Sequence, residues 1–298
     1  MKLRYVLAYF GERFPPINMV LFAILFVTVH AVAVFFGPNI LEKEWWWMLM
    51  GVLAVISFFF RLRVFDEIKD YELDAKNHPQ RVLQLGRVTK KQLIFISISG
   101  TVVELLWSVL SGWPVVICWF IAVGYSLLMR YEFFIGSWLN KHLLLYAITH
   151  MLVMPLLILW VYTSFQPELN ILFPFYVLAG LSLFSGFSFE IARKIHAPVA
   201  EKPGIDSYSK SLGYGASIML VLLVMLGGVA IQIYLLNLIN ARLWAFVLIA
   251  IIYFLSIFLY IKNVLKSSEK SLRTAEKFVS LFMLCSYLSI IIEVHFNK

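Results

Sequence analysis

Charged residues are scarce in this chain of 298 residues. Only 14% of the residues are Asp, Glu, Lys or Arg, whereas 61% are hydrophobic, and the mean hydropathy is +0.85. Soluble domains are typically about 25% charged and about 45–50% apolar. A soluble fold is therefore excluded, because it could not bury so much apolar surface, and the composition predicts an all-α, polytopic membrane protein.

Cysteines are few, and nucleotide-binding glycine motifs are absent from the sequence. The two cysteines, Cys118 and Cys285, both fall in apolar segments and are predicted to be small buried hydrophobic residues. This argues against a disulfide framework or a thiolate metal site. The first 15 residues lack the small-residue cleavage site of a signal peptide, and we interpret them as an amphipathic segment that enters at the membrane interface.

Long apolar runs are abundant. A membrane-spanning helix needs about 20 mostly apolar residues, and nine segments qualify, which predicts a bundle of about nine transmembrane helices in a single domain, residues 1–298. The predicted spans are 16–37, 45–62, 92–111, 113–130, 142–163, 170–189, 213–236, 243–261 and 277–294.

The basic residues are distributed unevenly between the two sides that nine spans define. One side receives 22 of the 25 Lys and Arg residues, and the other keeps only Lys43, Arg242 and Lys298. Because positive charge marks the cytoplasmic face, we place the N-terminus and the polar loops 61–91 and 190–211 in the cytoplasm and the C-terminus outside. The net charge of +8 is thus a topology signal, and no nucleic-acid partner is predicted.

Aspartate is the rarest acidic residue, and its four copies lie in those two loops. Asp66, Asp70 and Asp74 recur every four residues, which on a helix puts their carboxylates on one face. Glu67 adds a fourth acid beside that face. Like charges at this spacing repel one another unless a divalent cation neutralises them, and Mg²⁺ favours one or two carboxylates together with phosphate oxygens. The alternative is a solvated polar helix.

Two arginines follow the aspartates in the same loop. Arg81 and Arg87 flank a glycine, and arginine forks match phosphate oxygens bidentately. Carboxylates for a metal and arginines for an anion would together form a diphosphate site. Taken alone, both arginines are better explained by the positive-inside topology.

The second loop carries a mixed set of charges. Glu190, Arg193 and Lys194 share one helical turn, and Asp206, Tyr208 and Lys210 come just before the seventh span. For this loop taken alone, the favoured interpretation is a Glu190–Lys194 salt bridge with Asp206 as a helix cap.

The run D-E-I-K-D-Y-E-L-D, from Asp66 to Asp74, followed by R-V-L-Q-L-G resembles the signature of the UbiA-type intramembrane prenyltransferases, N-D-x-x-D-x-x-x-D with a later R-P-L-x-x-G. Y-S-L-L-M-R, ending at Arg130, is similar to the family's Y-T-x-x-L-K segment, and the second loop is similar to its D-x-x-x-D region. The resemblance covers nearly the whole chain.

The resemblance implies transfer of an isoprenoid chain from an allylic diphosphate to a lipophilic acceptor, with Mg²⁺ as cofactor. It implies catalytic roles for Asp70, Asp74 and Arg81. The expected metal ligands are the acids of both loops: Asp66, Glu67, Asp70, Asp74, Glu190 and Asp206. The expected diphosphate ligands are nearby cations: Arg81, Arg87, Arg130, Arg193, Lys194 and Lys210.

The chain departs from the family pattern at several positions. Asp66 and Glu67 stand at the Asn and first Asp positions of the first motif, and Val82 replaces the proline. Lys194 stands where the second motif has its second acid. The family pattern implies two Mg²⁺ ions, so we expect one to be held less firmly here, with Lys194 or Arg193 facing the phosphate and Asp206 supplying a carboxylate.

Polar residues inside or beside the spans are candidates for the substrate pocket, since ionisable groups in membrane helices are often functional. They are Asn18, Glu104, Tyr125, His150 and Tyr208. Glu104 is expected to line the cavity, to pair with His150, or to make a purely structural hydrogen bond.

Two other functions remain open from the sequence. The acids could form a cation site in a transporter, although transporters usually hold their ligands near the midplane rather than in a loop. The chain could also be a relative that binds lipid without catalysis, an alternative that Glu67 and Lys194 keep open. The sequence selects neither the acceptor nor the prenyl length.

Overall fold

The structure, a computed structural model, describes residues 3–37, 43–166, 171–201 and 206–297. All regular structure in these ranges is helical. The α-helices are α1 Leu3–Arg13, α2 Pro16–Phe36, α3 Trp45–Lys69, α4 Tyr71–Asn77, α5 Lys90–Ser111, α6 Trp113–Arg130, α7 Gly136–Leu139, α8 Leu143–Met151, α9 Val153–Thr163, α10 Phe173–Arg193, α11 Tyr208–Ser211, α12 Tyr214–Leu238, α13 Leu243–Leu265 and α14 Glu269–Phe296. Lys298, residue 170 of the sixth predicted span and residues 202–205 of the second loop lie outside the described residues.

Nine candidate spans occur among the described helices, which confirms the predicted all-α membrane fold. Some boundaries differ from the prediction. The third helix, α3, continues to Lys69 instead of ending at 62, and α14 begins at Glu269 instead of 277. Charged residues end a hydropathic span but not a helix, because backbone hydrogen bonding continues into the polar region. The predicted fifth span is divided at Leu152, three residues before Pro155. Proline has no N–H to donate, and its ring clashes with the carbonyl four residues earlier, so it breaks the helix there.

The chain forms two compact units. The first comprises residues 1–30, 39–133 and 160–170, and the second comprises 31–38, 134–159 and 171–298. Two of the boundaries between these units fall inside α-helices, one in α2 and one in α9. A single domain over 1–298 therefore stays a prediction.

In the first unit, α3 packs along α5. Gly100 lies at this contact, and a Cβ there would approach Ser57 Oγ to 2.0 Å, so glycine allows the two helices to come close. A buried aromatic cluster contains Trp107, Trp160 and Trp47. Trp47 is buried against Trp107, whereas its neighbours Trp45 and Trp46 are exposed.

In the second unit, α10 packs against α12 and α14. Gly227 of α12 meets the ring of Phe184, which would lie 2.5 Å from a Cβ at that position. Gln232 is buried and donates to Ser286 O at 3.2 Å and Ser289 Oγ at 3.1 Å. Gln232 thus joins α12 to α14 by polar contacts inside the helix bundle.

Candidate active site

The aspartate-rich segment is helical, as its spacing predicts. Asp70 lies at the junction of α3 and α4, and the backbone hydrogen bonds continue through it. Asp70 N donates to Asp66 O at 2.8 Å, and Asp74 N donates to Asp70 O at 2.8 Å. The three aspartates therefore follow one another at successive helical turns.

Glu67 is buried beside this face, with only 1% of its side chain exposed. Its Oε1 atom accepts from Arg13 Nε at 2.6 Å and from Arg63 Nε at 2.9 Å. Its Oε2 atom is also buried and has no hydrogen-bond partner among the described residues. The nearby hydroxyl of Tyr9 has its pKa raised, first by burial and then by the charge of Glu67. Arginine thus supplies the counter-charge to Glu67.

Asp74 is paired as well. Arg81 Nη1 forms an ion pair with Asp74 Oδ2, and Arg13 Nη2 donates to the same oxygen at 3.3 Å. The predicted proximity of Arg81 to the acidic face is confirmed. The second guanidinium, that of Arg13 on α1, was not expected.

Asp70 differs from both of these acids. Among the described residues, its carboxylate makes no ion pair or hydrogen bond, and the residue is exposed. Burial raises the pKa of Asp70 above its usual range, and the charge of Asp74 raises it further, while Lys69 opposes the shift. Asp66 is exposed one turn earlier. Asp70 would therefore gain from an added cation.

The turn after α4 presents the arginines. Val82 N donates to Glu12 Oε2 at 3.0 Å, while Val82 itself is buried. Gly86 has φ +67°, a left-handed conformation that favours glycine. Arg87 is exposed beside it, and Thr89 begins α5 with a capping box to Gln92. The loop is thus held at both of its ends.

The end of α6 lies beside the acidic segment. The guanidinium carbon of Arg130 lies 5.0 Å from the ring centroid of Phe65, the residue before Asp66. Lys69 forms an ion pair with Glu132, just after α6. Tyr125 is half-buried within α6. The structure therefore brings Arg130 near the first motif.

Glu104 is fully buried in a different network. Both of its oxygens accept from Arg61 Nη1, at 2.7 and 2.6 Å, Ser57 donates to Oε1 at 3.0 Å, and Trp119 donates to Oε2 at 3.0 Å. The expected pair with His150 is wrong, because these donors already occupy the carboxylate. The structural alternative is correct, and Arg61 belongs to the membrane core instead of the loop 61–91.

In the second unit, Glu190 pairs with its own neighbours. Lys194 Nζ lies 2.8 Å from Glu190 Oε1, and Arg193 lies 2.5 Å from Oε2, so the predicted salt bridge is confirmed. Tyr208 is buried, its N–H donates to Lys194 O at 3.0 Å, and burial followed by the charge of Glu190 raises the pKa of Tyr208.

Glu201 and Ser207 are bonded to each other before the start of α11. Ser207 donates to Glu201 Oε1 at 2.8 Å and caps α11 by accepting from Lys210 N. The helix cap is thus Ser207, and the expectation that Asp206 caps the helix was wrong. Asp206 is exposed, and Lys210 Nζ lies 3.7 Å from Glu201 Oε2.

Two further candidates for the substrate pocket, His150 and Asn18, lie in α8 and α2. His150 stacks on Tyr146, with ring centroids 4.0 Å apart, and its Nδ1 lies 2.8 Å from Tyr146 O. Asn18 is half-buried in the first turn of α2, where its N–H donates to Pro15 O at 2.9 Å.

No group of three or more His, Cys, Asp or Glu side chains converges as a metal cage among the described residues. A Mg²⁺ site does not require such a cage, because this ion usually takes one or two carboxylates and completes its shell with water and phosphate oxygens. Asp66 and Asp70 are a pair of this kind, at i and i+4.

Solved structures with the same fold are found. A digeranylgeranylglyceryl phosphate synthase structure has a TM-score of 0.70 at 18% identity, covering 98% of this chain and 99% of that chain. An apo UbiA homologue from Aeropyrum pernix K1 has a TM-score of 0.67 at 14% identity, covering 91% and 96%. A UbiA homologue from Archaeoglobus fulgidus bound to GPP and Mg²⁺ has a TM-score of 0.56 at 12% identity, covering 95% and 99%.

At the level of sequence, no curated protein matches the chain. The model of the UbiA prenyltransferase family, however, matches residues 23–284. The chain belongs to the UbiA prenyltransferase family. It is a multi-pass membrane prenyltransferase, and the resemblance drawn from its acidic motif is confirmed.

Seen as a UbiA protein, the chain brings Asp66, Asp70, Asp74, Arg81 and Arg130 together in the first unit. Sequence reasoning missed several of their neighbours: Glu12, Arg13, Arg63 and Glu132. The i, i+4 spacing of Arg63 and Glu67 could have revealed that pair. The residues of α1 carried no such signal, because they are more than 50 positions away from the motif.

Proposed function

We propose that this UbiA protein ionises an allylic prenyl diphosphate and transfers the isoprenoid chain to a lipophilic acceptor, using Mg²⁺ at the acidic segment of α3 and α4. One observation carries the proposal. Asp66, Asp70 and Asp74 follow at successive helical turns, and Arg81 is bonded to the last of them. The GPP and Mg²⁺ bound to the Archaeoglobus fulgidus homologue support the same classes of ligand.

Asp70 is the proposed centre of the metal site. Its carboxylate is partly desolvated and lacks an ion pair among the described residues, so a divalent cation would stabilise its charge most. Asp66 is exposed at the preceding turn and can share that ion. Asp74 would contribute its carboxylate to the metal site while it remains bonded to Arg81. When bound, Mg²⁺ supplies charge neutralisation for the departing diphosphate.

Arginines are proposed to hold the anion. Arg81 and Arg87 lie in the turn after α4, and Arg130 lies over Phe65. Fixed guanidinium groups aimed at the leaving group stabilise the charge that develops as the carbon–oxygen bond breaks. Around the allylic cation, water must be excluded, and we propose Asn18 and Tyr125 as residues bordering the prenyl pocket.

For the second loop we propose a weaker contribution. Glu190 and Asp206 are its candidate metal ligands, and Arg193, Lys194 and Lys210 are its candidate phosphate ligands. Because Glu190 is already neutralised by Arg193 and Lys194, binding of a metal ion there would require Lys194 to move away. Tyr208 and His150 are proposed near the substrate. The cytoplasmic N-terminus and loops, and the outside C-terminus, are proposed from the distribution of positive charge.

The test is product formation by the purified protein. Labelled prenyl diphosphates of several lengths are incubated with the protein, Mg²⁺ and a lipid extract, and the product is identified by its mass. We expect Mg²⁺-dependent diphosphate release and a prenylated lipid. If no prenyl diphosphate of any length is consumed while a lipid co-purifies, the protein is a lipid-binding relative and the enzyme proposal fails.

A further inference from the structure

Two of the residues at which the first acidic motif departs from the UbiA pattern contact the same end of α1. Glu67, which stands at an Asp position, bonds Arg13 Nε at 2.6 Å. Val82, which stands at the proline position, donates its N–H to Glu12 Oε2 at 3.0 Å. Glu12 and Arg13 are consecutive residues, so the two departures meet at one place.

The surroundings of Glu67 are unsuited to Mg²⁺. This ion keeps several waters and an octahedral shell, yet only 1% of the Glu67 side chain is exposed. Its Oε1 atom is held by Arg13 and Arg63, and a divalent cation at the buried Oε2 atom would lie beside two guanidinium charges. Coulomb repulsion opposes that placement. Asp66 and Asp70 are exposed, so water could complete the shell of an ion beside them.

The contact at Val82 depends on the residue type. Proline has no backbone N–H, so the bond to Glu12 exists only because another residue occupies that position. Glu12 Oε1 also lies 4.0 Å from Arg81 Nε. The end of α1 is therefore tied to the turn that presents Arg81.

We propose that Glu67 and Val82 act as a latch that holds Glu12 and Arg13 of α1 on the acidic motif, and that Glu67 is a positioning residue for Arg13 and Asp74 and not a metal ligand. Arg13 then joins Glu67 to Asp74, which it contacts at 3.3 Å. The metal part of this inference rests on the proposed function; the latch itself does not.

The test uses the full-length protein in lipid nanodiscs and two readouts. Backbone amide exchange of α1 reports the latch, and Mn²⁺ binding followed by electron paramagnetic resonance reports the metal site without turnover. We expect Glu67→Gln to speed exchange at Tyr9–Arg13 by about tenfold or more, since local opening sets the rate, and to leave Mn²⁺ affinity within about twofold. Asp70→Asn should weaken Mn²⁺ binding by about tenfold without changing exchange in α1.

Matched variants isolate each contact. Glu72→Gln removes an exposed acid of the same segment, and Arg4→Gln removes an exposed arginine of α1; neither should change either readout. Arg13→Gln should speed α1 exchange as Glu67→Gln does, and the double variant should add little, because both changes break one pair. Val82→Pro should speed exchange, whereas Val82→Ala, which keeps the N–H, should not.

The outcomes separate the two ideas. If Glu67→Gln weakens Mn²⁺ binding as much as Asp70→Asn and leaves α1 exchange unchanged, Glu67 is a metal ligand and the latch is overturned. If Glu67→Gln cannot be purified folded, unchanged exchange in Arg13→Gln overturns the latch equally. If Asp70→Asn leaves Mn²⁺ binding unchanged while Arg13→Gln speeds α1 exchange, the latch stands and the metal site of the proposed function fails.

Discussion

The two acidic loops use similar residues and neutralise them differently. In the first loop, Glu67 pairs with its helix neighbour Arg63, but further cations come from a distance: Arg13 from α1 pairs with Glu67, and Arg81 from the following turn pairs with Asp74. Asp70, between them in sequence, keeps no ion pair among the described residues. In the second loop, Glu190 is neutralised by its own neighbours Arg193 and Lys194.

The difference shows that the position of cations matters more than the number of acids. A pair at i, i+3 or i, i+4 forms wherever the helix forms, so Glu190 is compensated before any ligand arrives. Asp70 has other acids at the positions one turn before and after it, so it forms no such pair within its own helix. The first loop is therefore the better place for a metal ion, and four measurements test this contrast.

The largest effect is expected from Asp70→Asn. Removing the uncompensated carboxylate should lower prenyl transfer by roughly a hundredfold to a thousandfold, because a preorganised electrostatic contact to the reacting group is lost. Initial rates at saturating Mg²⁺ measure this change, with Glu72→Gln as the control for charge removal. Equal activity in Asp70→Asn and wild type would place the metal site elsewhere and break the contrast.

Glu104→Gln should lower the stability of the protein, whereas Asp70→Asn lowers its activity. Glu104 is a fully paired carboxylate of the first unit, and its loss leaves the Arg61 charge buried without compensation. We expect a loss of about 3 kcal/mol of stability, the usual cost of breaking a buried ion pair, measured by thermal unfolding in detergent. Asp70→Asn is the control and should leave the unfolding temperature nearly unchanged. Equal unfolding temperatures for Glu104→Gln and wild type would contradict a structural role.

Lys194→Asp tests the second loop. It restores an acid at the position where the family pattern has one and removes a cation from Glu190. Mn²⁺ affinity should rise by about tenfold, since two carboxylates then share one turn. Lys194→Met, which removes the cation without adding an acid, is the matched control and should give a smaller gain. An unchanged affinity in both variants would show that the pairing of Glu190 does not limit metal binding.

The smallest effect is a pH dependence at Asp70. Because its pKa is raised in the folded protein, the folded state binds its proton more tightly than the unfolded state does. Without metal, stability should therefore fall slightly as pH rises from the ordinary aspartate range through the raised pKa. Metal binding needs the carboxylate, so Mn²⁺ affinity should rise over the same pH window. Parallel titrations of wild type and Asp70→Asn measure both effects, and identical curves would exclude Asp70 as their source.

Local features of this protein were predictable. The nine spans follow from runs of apolar residues, the helical stacking of Asp66, Asp70 and Asp74 follows from their spacing, and the Glu190–Lys194 pair follows from neighbouring positions on one helix. Each depends on residues a few positions apart, for which helix geometry alone sets the distance. The motif also indicated the UbiA family, since its residues match the family signature at the same spacing.

Other features depended on the fold. The pairing of Glu104 with Arg61, 43 positions away, follows from the packing of α3 on α5. The burial of Trp47 and the capping of α11 by Ser207 were likewise decided by packing and by backbone geometry, and composition could not distinguish the alternatives.

The sequence by itself determined that this is a helical membrane protein with an acidic helix end, where we propose that a cation binds, because hydropathy and helical period are local properties. Only the tertiary structure decided which acids remain available to that cation. Apart from Arg63, which is a helix neighbour of Glu67, the counter-charges of Glu67 and Asp74 come from α1 and the following turn. No local rule predicts contacts between segments that meet only when the chain folds.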